Sequence, residues 1–244
     1  MASLVGIDTS LPLTSLVRGT SLTVLADATA WLGRKPDFVV RPTGNGGGAA
    51  FPLTAAEIAF VAAAGVRIAA YMNGSPLSMN NPPMGTYAQG VADAKAARTQ
   101  MRALGFPDAC PIIIDLEHWQ VVTAPYVAAV RATEPTAILY GSQQTCGLAK
   151  AGGVRSWLSY WVGQADYRNA AGKSPPASAA MWQMAGSAFN GIADEDTTSA
   201  DVVASFWDGI TPPPPSSGPD VPAAVAALTQ AESAVAAARR ALGG

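Results

Sequence analysis

A short apolar stretch in the middle of the chain, residues 111–114, most constrains the fold. It holds a proline and three isoleucines, and β-branched runs of this length are typical of a strand buried on both faces in a parallel sheet. The run continues into Asp115-Leu116-Glu117. Because side chains alternate along a strand, both acids are predicted to point the same way, with Cα atoms roughly 6.6 Å apart. Paired carboxylates at a strand end favour a catalytic site over the alternative, a helix N-cap followed by a solvated acid.

Strand and helix patterns alternate along the first part of the chain, about eight times within about 210 residues. The predicted strands are 4–8, 37–41, 66–72, 111–114, 136–141, 158–163, 181–184 and 191–194. The predicted helices are 20–32, 54–65, 86–104, 122–132 and 200–207. In the second helix, Thr54 and Glu57 form a capping-box pattern. This rhythm predicts an α/β fold, a compact (β/α)8 TIM-like barrel rather than a doubly wound sheet.

Composition narrows the possible partners. The chain has 244 residues, is 49% hydrophobic and 13% charged, and carries a formal net charge of −2. No run of Lys and Arg supplies a local basic field, so we expect no nucleic-acid partner. No apolar run reaches the roughly 18 residues of a membrane span. The first residues lack a basic and then apolar leader pattern, so no signal peptide is expected. Cys110 and Cys146 fall at opposite ends of the predicted sheet and are expected to be free thiols.

The end of the chain has a different composition. We predict a barrel domain over residues 1–210, a stiff Pro-rich linker over 211–219 and an Ala-rich helix over 220–244. In that helix Val221, Leu228, Val235 and Leu242 recur every seven residues. The seam predicts self-association or attachment to a partner, and docking on the chain's own barrel is the alternative.

Acids and aromatic residues follow several predicted strands. Asp8, Asp115 with Glu117, Tyr140 and Asp194 stand at strand ends, and the carboxyl ends of parallel barrel strands meet at one mouth. These acids are also suitable ligands for Mg²⁺ or Ca²⁺, but no liganding loop spacing is visible. We therefore expect neither a metal nor a cofactor.

This constellation resembles the family 25 glycoside hydrolases, the lysozyme-like muramidases. Four segments carry the resemblance: Gly-Ile-Asp-Thr-Ser at 6–10, Asp-x-Glu at 115–117, Tyr-Trp-Val-Gly at 160–163, and Trp182-Gln183 followed by Gly-Ile-Ala-Asp-Glu-Asp at 191–196. The chain is also similar, over about residues 4 to 208, to related glycoside-hydrolase-like domains of unassigned activity in secreted bacterial proteins and bacteriophage tail proteins. Phe-Val-Val-Arg at 38–41, Leu-Thr-x-x-Glu at 53–57 and Gly-Val-Ala-Asp-Ala at 90–94 carry that likeness. Asp196 and Ala165 depart from the pattern, which usually has Asn and an aromatic residue there.

The resemblance implies roles for these residues. Glu117 would be the general acid, and Asp115 would steady the developing positive charge or orient an N-acetyl group. Asp8 and Asp194 would hold sugar hydroxyls or the attacking water. The implied substrate contacts are Arg41, Tyr71, Tyr140, Trp161, Trp182, Gln183 and Asp196. The aromatic residues among these are equally suited to a barrel core, and His118 is expected to be structural.

The resemblance thus implies a peptidoglycan-directed glycosidase, a virion, tail or lysis component of a bacteriophage that acts at the bacterial cell wall. Its partners would be peptidoglycan glycan strands and, through the last helix, tail proteins or further copies of the chain. The alternative is a barrel with little or no turnover that serves as a glycan-binding or structural module of a phage tail.

Overall fold

The structure, a computed structural model, describes residues 4–17, 21–44, 51–74, 85–116, 122–159, 175–177, 179–187 and 193–209. Eight strands close into one barrel in chain order, which confirms the predicted (β/α)8 TIM-like fold. The strands are β1 Leu4–Asp8, β2 Phe38–Pro42, β3 Arg67–Asn73, β4 Ile113–Asp115, β5 Ile138–Gly141, β6 Arg155–Ser159, β7 Met181–Ser187 and β8 Ala193–Thr198. The predicted linker and last helix lie outside the described residues.

Hydroxyl side chains begin five of the helices. The described helices are α1 Val24–Leu32, α2 Ala55–Ala63, α3 Tyr87–Ala103, α4 Ala124–Thr133, α5 Gln143–Ala151 and α6 Ala200–Ala204. Thr23, Thr54, Thr86, Thr123 and Ser142 each accept a hydrogen bond from the backbone N–H three residues on. None of the helices in these ranges is long and apolar enough to cross a membrane.

The structure corrects three elements of the prediction. Strand β6 begins at Arg155 rather than at 158, and helix α5 precedes it unpredicted. Strand β8, Ala193–Thr198, overlaps the predicted strand 191–194 only at its first two residues, and it runs antiparallel to both β1 and β7. Residues 188–192 alone join β7 to β8. A connection of this length suits a hairpin, whereas a parallel crossover needs a dozen or more residues.

Alternate strand residues divide between two buried clusters. The cluster inside the barrel includes Phe38, Val40 and Ile113, and Phe206, just beyond α6, joins it. The cluster between strands and helices includes Val39, Ile112 and Ile114 with apolar residues of α1 to α4. Because side chains alternate, this division shows which strand residues face the barrel interior. Cys110 and Cys146 are buried free thiols, as predicted.

Candidate active site

Asp8 and Asp194 lie opposite each other at the mouth of the barrel. They are direct partners in the antiparallel ladder between β1 and β8. Asp8 ends β1, whereas Asp194 is the second residue of β8. The reversed direction of β8 therefore brings its amino end to the mouth where the other strands have their carboxyl ends. Asp8 is 9% exposed and Asp194 is half-buried.

Gln183 on β7 holds both carboxylates. Its Nε2 donates to Asp8 Oδ1 at 3.1 Å and to Asp194 Oδ2 at 2.8 Å. Its Oε1 accepts from the Tyr140 hydroxyl at 2.6 Å. The amide is thus oriented by Tyr140, and both N–H donors are directed at acids, to which hydrogen bonds are stronger than between neutral groups. Tyr140, Gln183, Asp8 and Asp194, all predicted from the sequence, therefore form one network.

Asp115 and Tyr71 lie beside this hydrogen-bond network, on the neighbouring strands β4 and β3. Asp115 ends β4 and pairs in register with Asn73 on β3 and with Tyr140 on β5. Burial raises the pKa of the Tyr71 hydroxyl, and the negative charges of Asp8, Asp115 and Asp194 raise it further. The positive charge of Arg41 opposes this effect, so three carboxylates from three strands and one guanidinium act on the same tyrosine. Tyr71 and Trp182 are both half-buried. Trp182 lies between Met181 and Gln183, which face the barrel interior, so alternation directs its side chain to the other face of the sheet.

Asp196 lies one step deeper in the barrel than Asp194. It pairs in register with Gly6 and is fully buried. Trp157 Nε1 donates to its Oδ1 at 3.0 Å. Burial raises the pKa of Asp196 well above its usual range. The carboxylates of Asp8 and Asp194 and a hydrogen bond shared with Asp8 act in the same direction, and the Trp157 N–H opposes them.

Arg41 has a different environment from the one predicted. It is fully buried, and its Nε donates to Glu57 Oε1 at 2.7 Å. Its two terminal nitrogens donate to the carbonyl oxygens of Thr9 and Phe51. Arg41 follows Val40, which faces the barrel interior, so alternation directs it towards α2. We therefore assign Arg41 to the support of the loops after β1 and β2, not to substrate contact.

Two predicted site residues, Glu117 and Trp161, lie outside the described residues. Leu116 N donates to Tyr140 O, so the β4–β5 ladder continues to the residue before Glu117. Trp157 is a further residue of the site, not predicted from the sequence, and its ring centroid lies 4.3 Å from that of Tyr140. The apolar stretch Trp157–Leu158 inside β6 was the available signal, and the late predicted start of that strand concealed it.

The closed eight-stranded barrel, with Asp8, Asp115 and Asp194 at one mouth, places the chain in the class of (β/α)8 barrels. Within this class, the chain belongs to the family of Rv2525c-like, glycoside hydrolase-like domains, which matches over residues 29–210.

Solved structures share the fold at low sequence identity. One is an uncharacterized B. stearothermophilus protein, 19% identical, with a TM-score of 0.61 over 84% of this chain and 100% of that chain. Another is the Mycobacterium tuberculosis Tat-secreted protein Rv2525c in complex with HEPES, 14% identical, with a TM-score of 0.56 over 81% of this chain and 95% of that chain. No curated protein sequence matches at a significant level.

Proposed function

We propose that this chain is a peptidoglycan-directed glycoside hydrolase of the muramidase type. The observation that carries the proposal is the set of carboxylates at the barrel mouth: Gln183 holds Asp8 and Asp194 together, and Asp115 pairs in register with Tyr140, which orients Gln183. In (β/α)8 enzymes the chemistry takes place at this end of the barrel. Membership of a glycoside hydrolase-like family and the muramidase-like motifs support a glycan substrate.

The proposed reaction is hydrolysis of one glycosidic bond. Glu117, two residues beyond Asp115, would give a proton to the glycosidic oxygen as the bond from that oxygen to the anomeric carbon breaks. Water would then add to the anomeric carbon and give a proton to the Glu117 carboxylate, which restores the acid. Asp115 would stabilise the positive charge or orient an N-acetyl group. Every step uses side chains alone, and no metal or cofactor is part of the proposal.

Asp8 and Asp194 would bind sugar hydroxyls or the attacking water. Gln183 supports this role because it holds one oxygen of each carboxylate in a fixed position. Tyr71 is half-buried at the mouth, so its ring would stack on a sugar ring. Tyr140 is 5% exposed and directs its hydroxyl at Gln183, so it would position the network.

Mass spectrometry of muropeptides released from purified cell wall tests the proposal. Wild-type protein should release them, and Glu117→Gln should lower the rate by about 10²- to 10⁴-fold, the usual contribution of a general acid. Asp201→Asn, an exposed change on α6, is the control and should leave the rate unchanged. Activity of Glu117→Gln within a few-fold of wild type excludes Glu117 as the acid.

The same preparation distinguishes the binding-module alternative. If the wild type releases no muropeptides, yet binds insoluble peptidoglycan and loses that binding in Asp115→Ala, the barrel is a glycan-binding module.

We further propose a virion, tail or lysis role in a bacteriophage, with attachment through residues 220–244. The resemblance to domains of phage tail proteins and the heptad seam support it. Detection of the chain in purified phage particles by mass spectrometry tests it.

A further inference from the structure

Asp196 is the most deeply buried of the described acids of the candidate site, and its surroundings are those of a neutral group. It is 0% exposed. Its Oδ1 accepts one hydrogen bond, from Trp157 Nε1 at 3.0 Å. Its Oδ2 is buried and accepts no hydrogen bond from any residue that the structure describes. An ionised carboxylate would leave that oxygen charged and without a donor, at a high cost in free energy.

Among the described residues, no positively charged group forms an ion pair with Asp196. Asp196 takes part in none of the four ion pairs found among the described residues. Within the same ranges, no group of His, Cys, Asp and Glu has the arrangement of a metal site. The charged groups that act on Asp196 are Asp8 on β1 and Asp194 on β8, both of the same sign. Of two carboxylates that share a site, one holds its proton more tightly.

We propose that Asp196 is a positioning residue that stays protonated and donates its hydroxyl hydrogen to the carboxylate of Asp8. Two carboxyl groups share a hydrogen bond only when one of them carries the proton, and Asp196 is the more deeply buried of the two. Asp8 would then be an ionised acceptor held from the barrel interior by Asp196 and from β7 by Gln183 Nε2. The Asp196 proton thus fixes the position and the charge of Asp8 at the mouth.

Infrared difference spectroscopy detects this proton directly. The spectrum of wild type minus Asp196→Asn at pH 7 should contain the carbonyl band of a protonated carboxyl group. The control difference, wild type minus Asp201→Asn, should contain only ionised carboxylate bands, because a hydrogen bond with Ser199 lowers the pKa of the exposed Asp201. If the spectrum of wild type minus Asp196→Asn contains ionised carboxylate bands and no band of a protonated carboxyl group, the proposal is overturned. This measurement needs no activity, so it separates the proposal from the hydrolase assignment.

The consequence for catalysis rests on the proposed function. Asn at 196 keeps an acceptor for Trp157 and an N–H donor towards Asp8, whereas Leu has neither. Asp196→Leu should therefore lower wall hydrolysis at least about tenfold more than Asp196→Asn does. The alkaline limb of the pH profile should move to higher pH in Asp196→Asn, since Asn cannot lose the proton. Equal losses in both variants at every pH overturn the positioning role, because they show that an ionised Asp196 is required.

Discussion

Arg41 Nε lies 2.7 Å from Glu57 Oε1, and the two side chains are 0% and 2% exposed. The pair joins β2 to α2, and Glu57 Oε1 also accepts the backbone N–H of Leu13 at 2.8 Å. Arg41 donates in addition to the backbone of Thr9 and Phe51. One buried ion pair therefore supports both loops that flank the first two strands at the barrel mouth.

Replacement of Arg41 by Met should lower the free energy of unfolding by about 3 to 5 kcal/mol, because it leaves the Glu57 carboxylate buried without its partner. Urea denaturation measures the loss. The matched control is Arg102→Ala, which breaks an ion pair with Asp108 whose side chains are 56% and 62% exposed. That change should cost less than about 1 kcal/mol. Similar losses in the two variants would show that burial of the Arg41 pair has no energetic consequence.

Gly90 marks the close approach of α3 to α4. A Cβ atom there would lie 2.6 Å from the carbonyl oxygen of Tyr126 and 2.9 Å from Ala129 Cβ. Gly90→Ala should therefore lower the free energy of unfolding by about 1 to 3 kcal/mol through overpacking, although alanine favours a helix.

Gly147 on α5 is the matched control, because a Cβ atom there meets nothing within 4 Å. Gly147→Ala should raise the free energy of unfolding by about 0.5 to 1 kcal/mol. Thermal unfolding of both variants checks the prediction. A shift of the melting temperature in the same direction for both contradicts the close approach of the two helices.

The raised pKa of Asp196 gives a pH dependence of stability with a definite sign. A group whose pKa is higher in the folded than in the unfolded state makes its full contribution to stability at a pH below its unfolded pKa, about 3.9. The protein loses this contribution as the pH rises towards the folded pKa of the group. The Asp196→Asn variant has no carboxyl group at this position, so it does not lose stability in this way as the pH rises. Its stability relative to wild type should increase with pH above about 4, by up to about 1.4 kcal/mol per pH unit.

Urea denaturation at several pH values between about 5 and 8 measures this difference in stability. The window lies above the unfolded pKa because the folded pKa of Asp196 is raised. Asp201→Asn is the control. The pKa of Asp201 is lowered, so its contribution is complete over that window and the difference from wild type should stay constant. Parallel stability curves for wild type and Asp196→Asn would contradict the raised pKa.

The final 34 residues are predicted to be dispensable for the barrel. A Pro-rich segment such as 211–219 stays extended and contributes few contacts to a core. Truncation after Ile210 should leave the melting temperature within about 2 °C of wild type and abolish self-association or attachment to a larger particle. Calorimetry and sedimentation measure the two effects. Unfolding many degrees earlier would show that residues 220–244 stabilise the barrel instead.

Local patterns in the sequence determined the barrel and most of its mouth. Strand runs such as 4–8 and 66–72 are visible because burial on both faces requires continuous apolar residues. The caps at Thr54 and Thr86 depend on neighbours three residues away, within reach of sequence reasoning. Asp8 and Asp115 were found because an acid that directly follows a buried strand is a local feature.

Two features of the structure had signals that were present in the sequence. The short connection 188–192 indicates a hairpin between β7 and β8, but the polar residues of β8 concealed its extension beyond 194. Alternation along β2 places Arg41 on the side of Val39, towards the helices.

Tertiary structure alone decided how the acids are arranged. Gln183 meets Asp8 across 175 positions of the chain, and Trp157 meets Asp196 across 39. Such contacts exist only after the sheet has closed and β8 has paired in register with β1. Whether a carboxylate is held by an amide at the mouth or buried beside an indole depends on its depth in the barrel. That depth is set by strand pairing between distant segments, because neighbouring residues in the chain fix only the direction of a side chain.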